Sequence, residues 1–202
     1  VVLKNANLKS PKFKQTVFEN SSLDIAHLNF SSGNARINAK GKLGKSSTLQ
    51  WQISATDIGA LYPQAKGQLK AKGSLTGTRE KPVIKAAMEG RHLSMLDYEI
   101  GSIEGQLAVD LFHWQNTEIE LISQALLIKG QPLQRLAING STQRLKVDVV
   151  ADRASIQLEF DGKSTTKGWH GQITRADIQS QMFSDWQLVA PVFLSVDTDT
   201  LS

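Results

Sequence analysis

The sequence predicts an all-β fold: an elongated, curved antiparallel sheet forming an apolar-lined trough, with no substantial helix. Three observations carry this. Apolar residues recur at every second position in run after run, the mark of strands with one dry and one wetted face. Turn signals return about every 8–12 residues, as in antiparallel architectures. No segment offers more than a single helical turn, so no helix is available to cover the apolar side.

Composition agrees. The 202 residues are 40% hydrophobic and 21% charged, ordinary for a folded domain. Only 6% are aromatic, so a core must be built from Leu, Ile, Val and Ala, which suits a single curved sheet better than a thick sandwich. There is no cysteine, which removes disulfides, thiolate metal sites and cysteine nucleophiles together. The chain starts at Val1 and has no apolar run of eighteen residues. We read residues 1–202 as one continuous, soluble β-groove segment of a longer protein. The net charge of +4 is unevenly spread: residues 1–100 carry fifteen Lys and Arg against seven Asp and Glu, and residues 101–202 carry eight against twelve. The basic half reads either as wetted faces and protected strand edges or as a basic rim near phosphates.

The clearest unit is Arg144–Phe160. Leu145, Val147 and Val149 alternate with Lys146 and Asp148, and Ile156, Leu158 and Phe160 with Gln157 and Glu159. Ala151-Asp152-Arg153-Ala154 between them has the length of a hairpin connection. Earlier in the chain, Val17-Phe18 and Leu23-Asp24-Ile25 fit short strands. The apolar phase then moves from Leu23 and Ile25 to Leu28 and Phe30, a one-residue slip that a β-bulge produces. Ala35, Ile37, Ala39, Gly41 and Leu43 form the next strand, and Leu49, Trp51, Ile53 and Ala55 the one after. In Thr56–Pro63, Asp57 is placed to cap one helical turn that Pro63 stops. Gly67, Leu69, Ala71, Gly73, Leu75 and Gly77 then share a face, and these small residues are expected to leave room beside them. Strands follow near Val83–Met88, as a broken one at Leu93–Ile100, and over Ile103–Leu111, Glu118–Leu121, Ala125–Ile128, Leu136–Gly140 and Lys167–Ile173. Trp186–Leu188 and Val192–Val196 close the count at about seventeen short strands, or a sheet about 80 Å long at ~4.8 Å per strand.

Two runs carry a family resemblance. From Asp57 to Leu107 the chain has Leu61-Tyr62-Pro63, a Gly67-Gln68-Leu69 strand, Leu75-Thr76-Gly77-Thr78, then Pro82 and a strand pair. The more specific run holds Leu136, Ile138, Gly140, Gly162, Trp169, Gly171, Trp186, Leu188 and Pro191. Residues 55–196 thereby resemble the TamB family, within the AsmA-like, bridge-like lipid-transfer group. The resemblance implies a periplasmic fragment of the inner-membrane-anchored subunit of a translocation and assembly module in a Gram-negative bacterium. It also implies partners: phospholipid, a TamA-like outer-membrane barrel reached through the full-length protein, and nascent outer-membrane proteins.

An apolar trough left uncovered marks a binding surface. The expected groove lining is Leu69, Ala71, Leu75, Leu107, Val109, Leu111, Leu136, Ile138, Leu145, Val147, Val149, Ile156, Leu158, Phe160, Trp169 and Ile173, sheltering phospholipid acyl chains that move between the two membranes. A reading from another class has the open sheet edge receive unfolded outer-membrane proteins by β-augmentation. A filled β-solenoid or sandwich is the plain structural alternative. Lys40, Lys42, Lys70 and Lys72 fall opposite the apolar phase, where they bear on anionic headgroups but not on acyl chains.

Chemistry is absent from the motifs. His27, His92, His113 and His170 are scattered without metal-ligand spacing. Glu118 and Glu120 share a strand face with no catalytic setting. The glycines at 67, 73 and 77 make no phosphate loop, and no nucleophile elbow or HExxH motif occurs. Trp51, Trp114, Trp169 and Trp186 read as packing and rim residues. The expectation is a non-enzymatic protein without cofactor or metal. The lysines alternate with apolar residues instead of forming a basic stripe with aromatics, so no nucleic acid is expected.

Overall fold

The computed structural model describes residues 2–3, 7–9, 22–78, 80–111, 117–165 and 168–197. The expected strand at Val17-Phe18, together with Trp114 and His113, lies outside the described residues. Fifteen strands join into one sheet. They are β1 (Val2–Leu3), β2 (Asn7–Lys9), β3 (Leu23–Ser32), β4 (Ala35–Leu43), β5 (Ser46–Ala55), β6 (Ala65–Thr78), β7 (Lys81–Met95), β8 (Tyr98–Asp110), β9 (Glu118–Ile128), β10 (Gln131–Ser141), β11 (Arg144–Val150), β12 (Ala154–Thr165), β13 (Gly168–Ser180), β14 (Trp186–Gln187) and β15 (Val192–Asp197). From β3 to β13 each strand pairs antiparallel with the next in sequence, and the sheet does not close into a barrel; β14 and β15 both pair with β13. A path of thirteen strands at ~4.8 Å spacing is roughly 58 Å long.

The strands are fewer and longer than the alternation suggests. β7 has 15 residues and β8 has 13, and the expected broken strand Leu93–Ile100 is the hairpin between them, turning at Leu96-Asp97. Leu96 takes φ 53 there, a turn conformation that Asn or Gly normally marks, so no residue signalled it. Elsewhere the local expectations hold. The slip in β3 is an interruption of the β3–β4 ladder between Ile25 and Leu28. Ile58–Ala60 forms one 3-10 turn, with the Asp57 carboxylate accepting from the Gly59 N–H at 2.9 Å. The β11–β12 hairpin pairs Leu145 with Phe160, Val147 with Leu158 and Val149 with Ile156. Its connection is Ala151–Arg153, because Ala154 already belongs to β12.

One feature of the sheet shapes everything around it. In five adjacent strands, one residue drops out of the ladder at the same level: Gly67, His92, Gly101, Ala125 and Gln134. Gly67, His92 and Ala125 have φ 108, 50 and 52, the region that β-structure avoids. In β7–β10 the apolar phase shifts there by one residue, from Gly90 to Leu93, Ile103 to Ile100, Ser123 to Leu126 and Leu136 to Leu133, whereas β6 keeps its phase through Ala65, Gly67 and Leu69, so that Gly67 alone faces His92 and Leu93. The added residue falls on the polar side, where Arg91-His92, Gln124-Ala125 and Gln134-Arg135 are exposed. A strand lengthened on one side bends away from it. The β6–β7 ladder shifts register here, while the β7–β8, β8–β9 and β9–β10 ladders resume in the same register beyond the gap, so the interruption runs as one crease across β6–β10.

Burial has two centres. Ala65, Leu126 and Ser123 are buried beside the crease, Ser123 to 1% exposure, and Ala35 and Ala55 are buried on β4 and β5, where the Ile58–Ala60 turn packs against Ser32 and Gly33. Leu93 lies over Gly90, where an added Cβ would meet its Cδ1 at 2.5 Å. The Ser123 hydroxyl donates to the Ser102 carbonyl at 3.1 Å, next to Gly101 where the ladder is broken. A polar side chain is thus buried without loss, since its donor is used.

Candidate functional site: an apolar face and its polar back

Strand register decides which residues share a face, because directly paired residues point the same way. One apolar row runs along the crease: Ala35, Ala55, Leu69, Gly90, Ile103, Ser123, Leu136, Val149, Ile156 and Ile178. The next runs through Phe30, Ile37, Ile53, Ala71, Met88, Gly105, Leu121, Ile138, Val147, Leu158 and Ala176. A third links Leu28, Ala39, Trp51, Gly73, Ala86, Leu107, Ile119, Gly140, Leu145, Phe160, Ile173 and Val192. No charged residue interrupts these rows.

All sixteen expected lining residues belong to this phase. Leu75 and Val109 sit in a fourth, shorter row with Gly41, Leu49 and Ile84. Leu111 follows the end of β8 and is 44% exposed; its N–H is held by the Pro82 carbonyl at 3.1 Å. Trp169 shares the face with Gly171 and Ile173. The sequence reading left out Phe30, Ile37, Ile53, Met88, Ile103 and Leu121, although the same alternation marks them.

The glycines do not leave vacant room. An added Cβ on Gly73 would lie 2.4 Å from the Trp51 ring, and one on Gly162 2.2 Å from the Trp169 ring. Each tryptophan lies flat across its neighbour, filling what the missing side chain opens. Trp169 is pinned further by its Nε1–H, which donates to the Thr142 carbonyl at 2.9 Å. Trp186, by contrast, is 65% exposed. The small residues serve ring packing, which makes the groove floor smooth rather than pitted.

The opposite face is mostly polar, with Ile122, Ala137 and a few further apolar residues in register among its charges. Lys40, Lys42, Lys70, Lys72, Glu118 and Glu120 are all exposed on it. Toward the end of the chain its charges are paired across strands: Arg144 with Asp161 at 3.0 Å, Lys146 with Glu159 at 3.0 Å and Arg175 with Glu159 at 3.7 Å. A hydrogen bond from Arg175 to Asp177, more than the accompanying charge attraction, raises the guanidinium pKa above its ordinary value. A concavity of about 1110 Å3 opens on this side, walled by polar-phase residues including Asn38, Lys40, Gln52, Lys72, Lys85, Gln106, Glu120 and Asn139. Across β3–β11 the sheet therefore curves toward its polar face. Such coiling is the usual product of strand twist. Among the described residues no cluster of His, Asp or Glu could hold a metal ion, and no helix is long and apolar enough to cross a membrane.

A single-layer antiparallel sheet, creased along one rim and apolar on one whole face, defines an open β-groove protein. The chain belongs to the TamB family: the model of the TamB N-terminal domain matches residues 7–202. That match takes in β3–β5, beyond the stretch whose motifs carried the resemblance. Comparison with curated proteins and with solved structures returned no match.

Proposed function

We propose that this chain is a periplasmic segment of the translocation and assembly module's inner-membrane subunit. Its groove shelters phospholipid acyl chains and helps move lipid between the inner and outer membranes. The observation that supports this most is the set of uncharged rows crossing ten or more strands, with only the Ile58–Ala60 turn among the described elements packed against one end of the sheet. A tail of roughly fifteen methylenes in water faces ~12 kcal/mol at about 0.8 kcal/mol each. A continuous apolar lining removes most of that barrier. A smooth floor without convergent polar groups holds no lipid tightly, which suits sliding rather than storage.

Register supplies the test. A photo-activated crosslinker at Val147 or Leu158 is expected to capture phospholipid, whereas the same group at Lys146 or Glu159, one residue away on the polar face, is not. Capture from both faces alike, or from neither, would remove the groove as the lipid path.

A second reading draws on β15. Val192, Phe193 and Leu194 there are 45%, 83% and 38% exposed, and among the described residues β15 pairs only with β13. Such an edge accepts a further strand, which supports a linked role in outer-membrane protein assembly with a TamA-like barrel. A strand-forming peptide that binds and protects β15 amides from hydrogen exchange would favour it; unchanged exchange would count against it.

A further inference from the structure

The two halves of the polar face treat their cations differently. In β11–β13, Arg144, Lys146 and Arg175 are neutralised by carboxylates on the same or the next strand. In β4–β7, Lys40, Lys70, Lys72 and Lys85 are exposed and make no ion pair with any described residue. Lys70 stands opposite Glu89 in register without pairing, and Lys42 lies 4.0 Å from Asp24. Lys40, Lys72 and Lys85 line the polar concavity, and Lys40 and Lys85 lie in one cross-strand row with Gln50 and Ser74 between them. Charges left unpaired on rigid strands, over a span of roughly 14 Å at ~4.8 Å per strand, form a positive surface that is not self-neutralised.

The chemistry of the patch selects its partner. Protein interfaces are enriched in aromatic residues and depleted of lysine, yet the polar phase of β4–β8 contains no Phe, Tyr or Trp. Lysine is a compact charge on a flexible stem, suited to phosphates that present no fixed geometry. We propose that the polar face of β4–β7 docks on a membrane surface bearing anionic phospholipid headgroups. This concerns the side of the sheet away from the groove, and stands or falls separately from what the groove carries.

Co-flotation of the 202-residue chain with vesicles of phosphatidylglycerol and phosphatidylcholine tests it. Lys40→Gln, Lys72→Gln and Lys85→Gln together are expected to lower vesicle binding at low salt by about tenfold or more, since each lysine at an anionic surface is worth roughly fivefold. Binding by the unaltered chain should fall steeply at high salt. The matched variant Arg144→Gln, Lys146→Gln and Arg175→Gln removes the same charge from the paired half and is expected to change binding less than about twofold. Circular dichroism confirms that both variants keep their strands. Equal losses in the two variants would reduce the effect to net charge and overturn the proposal, as would salt-insensitive binding. Lysine-dependent binding of a poly-glutamate peptide without any flotation would assign the face to an acidic protein instead.

Discussion

Along β6–β10 every strand leaves one residue out of the ladder at the same level, whereas the β11–β12 ladder pairs seven consecutive residues without a break. Both regions are equally rich in Leu, Ile and Val. Yet Ser123, Leu126 and Ala65 are buried in or beside the crease, while no described residue of β11 or β12 is buried. The difference teaches that apolar content alone does not close a one-layer sheet. The buried side chains lie beside the interruption, where β7, β9 and β10 each present two consecutive exposed residues on the polar side.

The strongest way to break this comparison is to place a charge in each region. Leu126→Asp puts an ion at a site only 6% exposed and is expected to cost about 4 kcal/mol or more. Val147→Asp, on the half-buried open floor, is expected to cost roughly 1–2 kcal/mol, to keep its β spectrum and to stop lipid passage in the full-length protein. Urea unfolding measures both. Equal losses would mean that the floor is a filled core like the crease, and the sandwich or solenoid alternative would return.

Smaller effects separate ring packing from creasing. Gly73→Ala and Gly162→Ala each drive a methyl group into a tryptophan ring and are expected to cost about 2 kcal/mol. Because both contacts are local, the creased and uncreased regions should lose alike. A cost confined to Gly73 would tie Trp51 to the crease instead.

The smallest expected change has opposite signs in the two regions. Ala125 holds φ 52, which disfavours any residue with a Cβ, so Ala125→Gly is expected to stabilise by up to about 1 kcal/mol. Ala176 in β13 pairs with Leu158 and has no positive φ, although the ladder skips Thr174 two residues away, and Ala176→Gly should lose about 0.5–1 kcal/mol. Matching signs in chemical denaturation would show that the crease stores no backbone strain.

A helical fraction well above one turn in far-ultraviolet circular dichroism would contradict the sheet itself. The two faces were legible because alternation is a property of each strand alone: Leu145, Val147 and Val149 declare their side before any partner is known. The same locality explains the Asp57 cap and the slip in β3. It also explains why the alternation splits the single strand β7 into one piece near Val83–Met88 and another from Leu93, since a bulge and a turn interrupt the period in the same way.

What the sequence by itself determined is the membership of each face: period-two alternation sorts the sixteen residues expected to line the groove from Lys40, Lys42, Lys70 and Lys72 without reference to neighbours. Tertiary structure alone decided that Gly67, His92, Gly101, Ala125 and Gln134 line up into a crease. It also decided that Trp51 and Trp169 fill the glycine gaps, and that Arg144, Lys146 and Arg175 find carboxylates while Lys70, Lys72 and Lys85 do not. The physical reason is register. A strand's own pattern says which side a residue faces, but what it faces beside it depends on where the neighbouring strand starts, and that is fixed only when the ladders close.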